Sequence, residues 1–241
     1  MSSETKMTKN IRTKILYEMK HGMFSECEKL PRETELSEAL GISRTQLRDS
    51  LAELEREGFI TRRHGVGTVI NRHVLRVNNR MDIETEFLDI IRQSGYQPDM
   101  TNIQIYEETA NEHVAEKLGI EPGNLVIRVC RTCTADGKPA IYCEDILAKQ
   151  LIKQEYAMKD LEGSIFYFLQ KFCKKSAYMD LTELHAVLAD EKTAAALEIP
   201  TGTPLLNMEE VDFDIEGTIV FYSSQYFVDG FVQQTVLRKK L

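Results

Sequence analysis

The most constraining feature of this chain lies between Glu33 and Gly58, where two short apolar-striped stretches flank a glycine turn. In the first, Leu36, Ala39 and Leu40 share a helical face, and Gly41 closes it because a residue without a Cβ takes a left-handed cap at no steric cost. The turn is Gly41-Ile42-Ser43. Ser43 stands as an N-cap with Gln46 three residues later as its capping-box partner, and a second helix is expected through Leu47, Leu51 and Leu54 to Gly58. Two helices joined in this way make a helix-turn-helix. Upstream, Ile11, Ile15, Met19 and Met23 recur at four-residue spacing with Leu16 alongside, which predicts an amphipathic helix over 8–22. Downstream, residues 59–63 and 68–70 read as short strands around the turn His64-Gly65-Val66-Gly67, a wing-like hairpin.

The chemistry of this head lies at the start of the second helix. Arg44, Thr45, Gln46 and Arg48 precede or interleave with the inward Leu47 and Leu51, and so face outward. In a DNA major groove an arginine can grip a guanine edge in bidentate fashion, a glutamine an adenine, and Ser or Thr a phosphate, aided by the positive end of the helix dipole. The charge distribution fits such a partner. The chain is −8 overall, yet residues 1–80 hold 15 Lys and Arg against 11 Asp and Glu, net +4, while the remainder holds 15 against 27, net −12. A basic head is thus joined to an acidic body.

The run from Lys29 to Ile70 resembles the winged helix of the GntR superfamily over its whole length: the Leu30-Pro31 before the first motif helix, the Gly-Ile-Ser-Arg-Thr turn, the placing of Arg48, the Leu-Glu-x-Glu-Gly ending and the Gly-x-Gly-Thr wing fall in order. The resemblance implies groove reading by Ser43, Arg44, Thr45, Gln46 and Arg48, with His64 and Gly65 at the wing tip approaching the minor groove. Thr34 departs from the arginine usual in the family, and Arg32, two positions earlier, is the candidate for its phosphate contact.

Residues 79–83 are polar and without period, which predicts a linker between a head over 1–78 and a body over 84–241. In the body, helices are expected over 84–94, 111–118, 164–172 and 190–197. Strands are expected over 103–106, 125–134, 140–147, 177–188, 205–213 and 218–227, with Ala135-Asp136-Gly137-Lys138 as a hairpin turn. This is an α+β pattern. The phrase from Ala115 to Gly123 rhymes with that from Ala195 to Gly202, each a helix running into a turn before a long strand, so an internal pseudo-repeat is expected.

Over 84–241 the arrangement resembles the UTRA effector domain of the HutC-type GntR branch, whose fold is similar to chorismate lyase. The landmarks are Glu84-Thr85-Glu86-Phe87 before Gly95, Arg131 ahead of Asp136-Gly137-Lys138-Pro139, Gly163-Ser164-Ile165-Phe166, and Tyr226 followed by Asp229. The resemblance implies an effector site holding an Arg-x-Arg pair, a glutamate on the next strand, a serine and a tyrosine near the C-terminus. Arg131 and Ser164 match, whereas Cys133, Cys143 and Phe231 replace the second arginine, the glutamate and the tyrosine; Phe87 and Leu88 complete the candidate set. Loss of one cationic fork implies a less anionic or more apolar effector.

Cys130 and Cys133, three apart on one strand, point to opposite faces and do not close on a single metal ion without a bulge. No metal or cofactor is expected. The N-terminus lacks an apolar signal segment, no stretch approaches the ~18 apolar residues of a spanning helix, and five scattered cysteines suit reduced thiols, so a cytoplasmic protein without a membrane partner is expected. The reading is a homodimeric transcription regulator, a repressor, that binds operator DNA under control of a small molecule. Two alternatives stay open: a DNA-binding dimer with no effector, and a chorismate-lyase-like enzyme fused to a DNA-binding head, although no acid/base pair or nucleophile constellation stands out.

Overall fold

The computed structural model describes residues 3–240, with side chains from Ile11 onward. The chain divides into two compact units, one made of the residues up to Ile83 together with those from Gln234, the other of Glu84–Gln233.

The first unit holds α1 (Ser3–Lys20), α2 (Glu33–Leu40), α3 (Arg44–Arg56), β1 (Ile60–Arg63), β2 (Gly67–Ile70) and a single turn of helix, α4 (Arg72–Leu75). Ile15, Met19, Leu36, Leu47 and Leu54 are fully buried in one core, and each such side chain contributes about 1.5–3 kcal/mol relative to exposure. Gly41 takes the left-handed conformation, φ 66°, that ends α2. The capping box forms: the Gln46 amide donates to Ser43 Oγ at 3.3 Å, and the Ser43 amide donates to Gln46 Oε1 at 3.1 Å. Arg12 of α1 grips Glu57, just past α3, through contacts of 2.6 to 2.9 Å. Arg72 closes the end of α1 by donating to the Met19 carbonyl at 2.6 Å.

The end of the chain belongs to this unit. The body expected over 84–241 therefore stops short, and residues from Gln234 complete the head. The Met81 amide donates to the Thr235 carbonyl at 2.8 Å, and Leu237 packs on the head's core. Lys239 Nζ donates to the carbonyls of Glu55 and Arg56 at 2.7 and 2.6 Å, placing a cation at the negative end of α3. Gly58 is required here twice over: its φ is +82°, and a Cβ would lie 2.5 Å from Leu237 Cδ2. The expected linker over 79–83 is also packed, since Asn79 and Arg80 are buried and Arg80 Nη1 donates to the Glu57 carbonyl at 2.6 Å. A polar, aperiodic segment reads as a linker when its partners are distant in sequence.

The second unit runs α5 (Phe87–Gln93), β3 (Pro98–Thr109), α6 (Glu112–Leu118), β4 (Leu125–Ala135), β5 (Lys138–Ala148), α7 (Ile165–Phe168), β6 (Met179–Leu188), α8 (Glu191–Leu197), β7 (Pro204–Phe213) and β8 (Ile219–Phe227). All strands join one antiparallel sheet in the order β3-β4-β5-β8-β7-β6. That order is its own mirror about the β5–β8 pair, which is the expected repeat made visible. The two halves agree in detail: Asn111 caps α6 by accepting from the Val114 amide at 2.9 Å, and Asp190 caps α8 by accepting from the Thr193 amide at 2.8 Å. Both helices end left-handed, at Gly119 and at Glu198.

Two elements differ from expectation. The helix expected over 164–172 is only one α turn followed by a π-helical turn, Leu169–Cys173, which brings the Phe168 and Phe172 rings to 4.8 Å. The strand expected over 103–106 extends across Pro98–Thr109, with a break in register near Asn102 at φ 51°.

Candidate functional site

In the head, the exposed start of α3 and the wing tip form the candidate nucleic-acid interface. Arg32, Ser43, Arg44, Thr45 and Arg48 are all exposed, as are His64 and Gly65 in the β1–β2 turn, where Gly65 has φ 74°. They are not equally free. Ser43 and Gln46 are engaged with each other in the capping box, so both position the helix start. Arg48 Nε meets Glu33 at 2.7 Å, and that carboxylate holds the guanidinium's pKa above its usual value. The wing is fastened to α3 by Glu55, which accepts from both the amide and Nε of Arg62 at 2.7 Å. Arg62 and the exposed Arg63 are basic residues beside the tip that the residue pattern did not single out.

In the body, one sheet face collects most of the candidate effector residues. Arg131 and Cys133 lie two apart on β4, and Cys143 on β5 pairs directly with Arg131. Phe87 joins this face through Phe227, edge to face at 6.2 Å, and Leu88 beside it is half-buried. Phe227 pairs with Ile141, which pairs with Cys133. Ser164, at the start of α7, donates to Glu86 just before α5 at 2.7 Å. Phe231 lies beyond β8, its ring edge to face with Tyr96 at 5.8 Å.

Arg131, the arginine that matches the implied Arg-x-Arg pair, is itself engaged by the protein. Its Nη1 meets Asp145 Oδ2 at 3.0 Å, its Nη2 donates to the Leu161 carbonyl at 3.0 Å, and both side chains of the pair are 4% exposed. Asp145 also accepts from Ser223 Oγ at 2.9 Å, and burial pushes its carboxyl pKa up against the pull of Arg131. Asp145 stands two residues past Cys143, on the same face of β5. Cys133 and Cys143 are fully buried; burial pushes the Cys133 thiol up to about 12 and the Cys143 thiol well above its ordinary value. Thiols so held are inert apolar groups. Cys130 faces the opposite side of the sheet, packed with Tyr142 and Leu205.

A second set of polar residues on the Arg131 face was not visible in the sequence. Asp180 and Thr182 of β6 pair with Asp212 and Glu210 of β7, and Glu84 sits beside them. Burial, with the neighbouring carboxylates adding to it, pushes Glu210 up to about 8 and Asp212 to about 9; Glu84 is exposed as a residue, and the partial burial of its carboxyl end, with Asp180, Glu86 and Asp145 adding to it, pushes it up to about 7. Glu210 accepts from Gln225, and Thr182 donates to Asp180 at 2.6 Å with its hydroxyl oxygen 3.3 Å from Glu210. The available signal was the acid two residues from a polar partner on two adjacent strands, Asp180-x-Thr182 and Glu210-x-Asp212.

Comparison with known proteins places both units. The profile of the bacterial regulatory proteins of the gntR family matches residues 7–70, and that of the UTRA domain matches residues 93–229. The histidine utilization repressor of Pseudomonas putida is 26% identical over 81% of this chain and 77% of the relative. The HTH-type transcriptional repressor NagR of Bacillus subtilis is 25% identical over 83% of this chain and 82% of its own length. In fold, the chain is similar to the crystal structure of a possible transcriptional regulator, YydK, from Bacillus subtilis, with a TM-score of 0.75 at 20% identity over 99% of this chain and all of that one. Among the described residues no helix is long and apolar enough to cross a membrane.

Proposed function

Because this chain belongs to the gntR family of bacterial regulatory proteins and carries the UTRA domain, a DNA-binding transcription regulator controlled by a metabolite, we propose that it acts as a homodimeric repressor. The observation that carries the DNA-binding half is the start of α3, where Arg44, Thr45 and Arg48 stand exposed between Arg32 and the wing residues His64 and Gly65. Ser43 and Gln46 hold that start in shape and reach the groove with it. An effector seat on the sheet face of Arg131, Cys133 and Cys143, between Phe87 with Leu88 and Ser164, suits a ligand of little negative charge. Arg131 is already neutralised by Asp145, and the two thiols are apolar. Phe231 adds a ring beside Tyr96.

The test is a selection of operator sequences from random DNA, followed by titration of the complex with a panel of metabolites. A defined operator should emerge, and an effector found by its rise in melting temperature should change operator affinity by about five- to 150-fold, the usual range of allosteric coupling. A selection that enriches no sequence would overturn the reading of α3.

Dimerisation has its own support in β6, which ends the sheet, its outer side paired with no other strand among the described residues. This edge exposes Met179, Leu181, Leu184 and Leu188, with Leu181 and Leu188 each 69% exposed. An open apolar edge is a hazard unless another copy covers it. A second copy placed by a two-fold axis would present two heads to half-sites on a pseudo-palindrome, spaced by ~10 bp or another interval the connections permit. Sedimentation at micromolar concentration should find a dimer, and Leu181→Arg with Leu184→Arg should yield a folded monomer. A monomeric parent would refute the assignment.

A further inference from the structure

Farther along the Arg131 face, toward β6, lies a charge imbalance that operator binding and effector sensing leave unused. Glu84, Asp180 and Asp212 each bring a carboxylate oxygen within 4.8 Å of the other two. They come from three parts of the chain: the segment before α5, β6 and β7, with Asp180 and Asp212 direct partners in register. Asp212 is 1% exposed, its Oδ2 has no hydrogen-bond partner, and the charged groups that act on it most strongly are the carboxylates Glu84, Glu210, Asp180 and Asp145. Among the described residues no lysine or arginine pairs with Glu84, Asp180, Glu210 or Asp212.

The protein deals differently with its other acidic cluster. Glu183 and Glu209, with His185 nearby, receive Lys117 Nζ at 3.1 and 2.9 Å, so an ammonium already fills that group. A carboxylate left buried and unpaired among like charges is costly, and a positive ion is the direct remedy.

We propose that Glu84, Asp180 and Asp212 bind a hard divalent cation of the calcium, magnesium and manganese class. The donor set is oxygen only, which selects that class over the softer metals held by Cys and His. Calcium takes oxygen ligands at about 2.3–2.6 Å, so one ion spans oxygens up to roughly 5 Å apart, and the three carboxylates lie within that reach. Glu210 adjoins them as a further acid and is held by Gln225. Glu84 is the first residue after the chain leaves the head, so a bound ion fastens this crossing point to β6 and β7.

The experiment uses the full chain, stripped with a chelator, and titrates it with Ca2+, Mg2+ and Mn2+ alone by calorimetry and thermal unfolding, with Mn2+ also followed by its paramagnetic resonance signal. The parent should bind one ion per chain and melt at a higher temperature when loaded. Asp212→Asn keeps the side chain's shape and should weaken binding at least about tenfold. Asp180→Asn, at a half-buried position, should do the same and decides the matter if Asp212→Asn fails to fold. No binding of any of the three ions at up to ~1 mM, the weak end of protein calcium sites, would overturn the proposal. So would ion binding undiminished in the folded variants, or binding of putrescine in place of the metals. Operator affinity plays no part in the readout, so failure here leaves the regulatory reading intact.

Discussion

Replacing Arg131 with alanine is expected to cost the protein about 3–5 kcal/mol, the range for removing one partner of a buried ion pair. The guanidinium is shared between Asp145 and the Leu161 carbonyl, each at 3.0 Å, and among the described residues no other cation pairs with Asp145, whose remaining partner is the Ser223 hydroxyl. Set against a typical total of 5–15 kcal/mol for a domain, the loss brings the body near its unfolding threshold. Urea denaturation followed by circular dichroism measures it. Arg131→Lys should fall between parent and alanine, because an ammonium keeps the charge but lacks the guanidinium's fixed fork toward both partners. The double change Arg131→Met with Asp145→Leu should recover most of the stability, since a buried pair is often replaced by apolar groups at little cost. A loss under about 1 kcal/mol for Arg131→Ala would mean that the pair is exposed to water. The same numbers govern effector experiments: a lost response in Arg131→Ala reports on the pocket only if the variant remains folded.

The second large effect is expected at the start of α3. Arg44→Ala should weaken operator binding by about tenfold or more, corresponding to the ~1–3 kcal/mol of a base contact, and should relax preference at one base pair. Arg48→Ala should weaken it less. The difference comes from Glu33, whose carboxylate lies 2.7 Å from Arg48 Nε and must release it before DNA can take its place. Accordingly Glu33→Gln should tighten binding and steepen its dependence on salt, because one more cation is freed for phosphates and one anion is withdrawn from them. Quantitative footprinting of the three variants at two salt concentrations measures these effects. If Arg44→Ala and Arg48→Ala both bind like the parent, the groove assignment is wrong.

Most of the head could be read from the chain because its determinants are local. The apolar spacing of Leu47, Leu51 and Leu54, the left-handed Gly41 and the reciprocal Ser43–Gln46 cap lie within a few residues of one another. The strands of the body were legible for a similar reason, through alternation and one hairpin turn, and the rhyme between residues 115–123 and 195–202 marked the two halves of the sheet. What escaped was set by register between distant residues. The meeting of Asp180 with Asp212, and of Arg131 with Asp145, depends on which strand residues face each other, and a slip of one place would turn each side chain to the opposite face. Asp145, two places past Cys143, supplies the carboxylate for which only a thiol had been noted. The segment from Gln234 carries no period of its own; its place follows from Leu237 and Lys239 meeting α3 and Gly58, residues encoded some 180 positions earlier.

That returning segment has a consequence for how the protein is made. The head is discontinuous in the gene, and the whole body is, in topological terms, an insertion within it. During synthesis from the N-terminus, at about 5–20 residues per second, α1 to α4 emerge first but wait for the codons beyond residue 233 before Leu237 can cover Gly58 and Lys239 can close α3. A ribosome that stops anywhere inside the body releases a chain whose helix-turn-helix lacks this last layer. Completion of the DNA-binding unit is thereby tied to prior synthesis of the unit that regulates it.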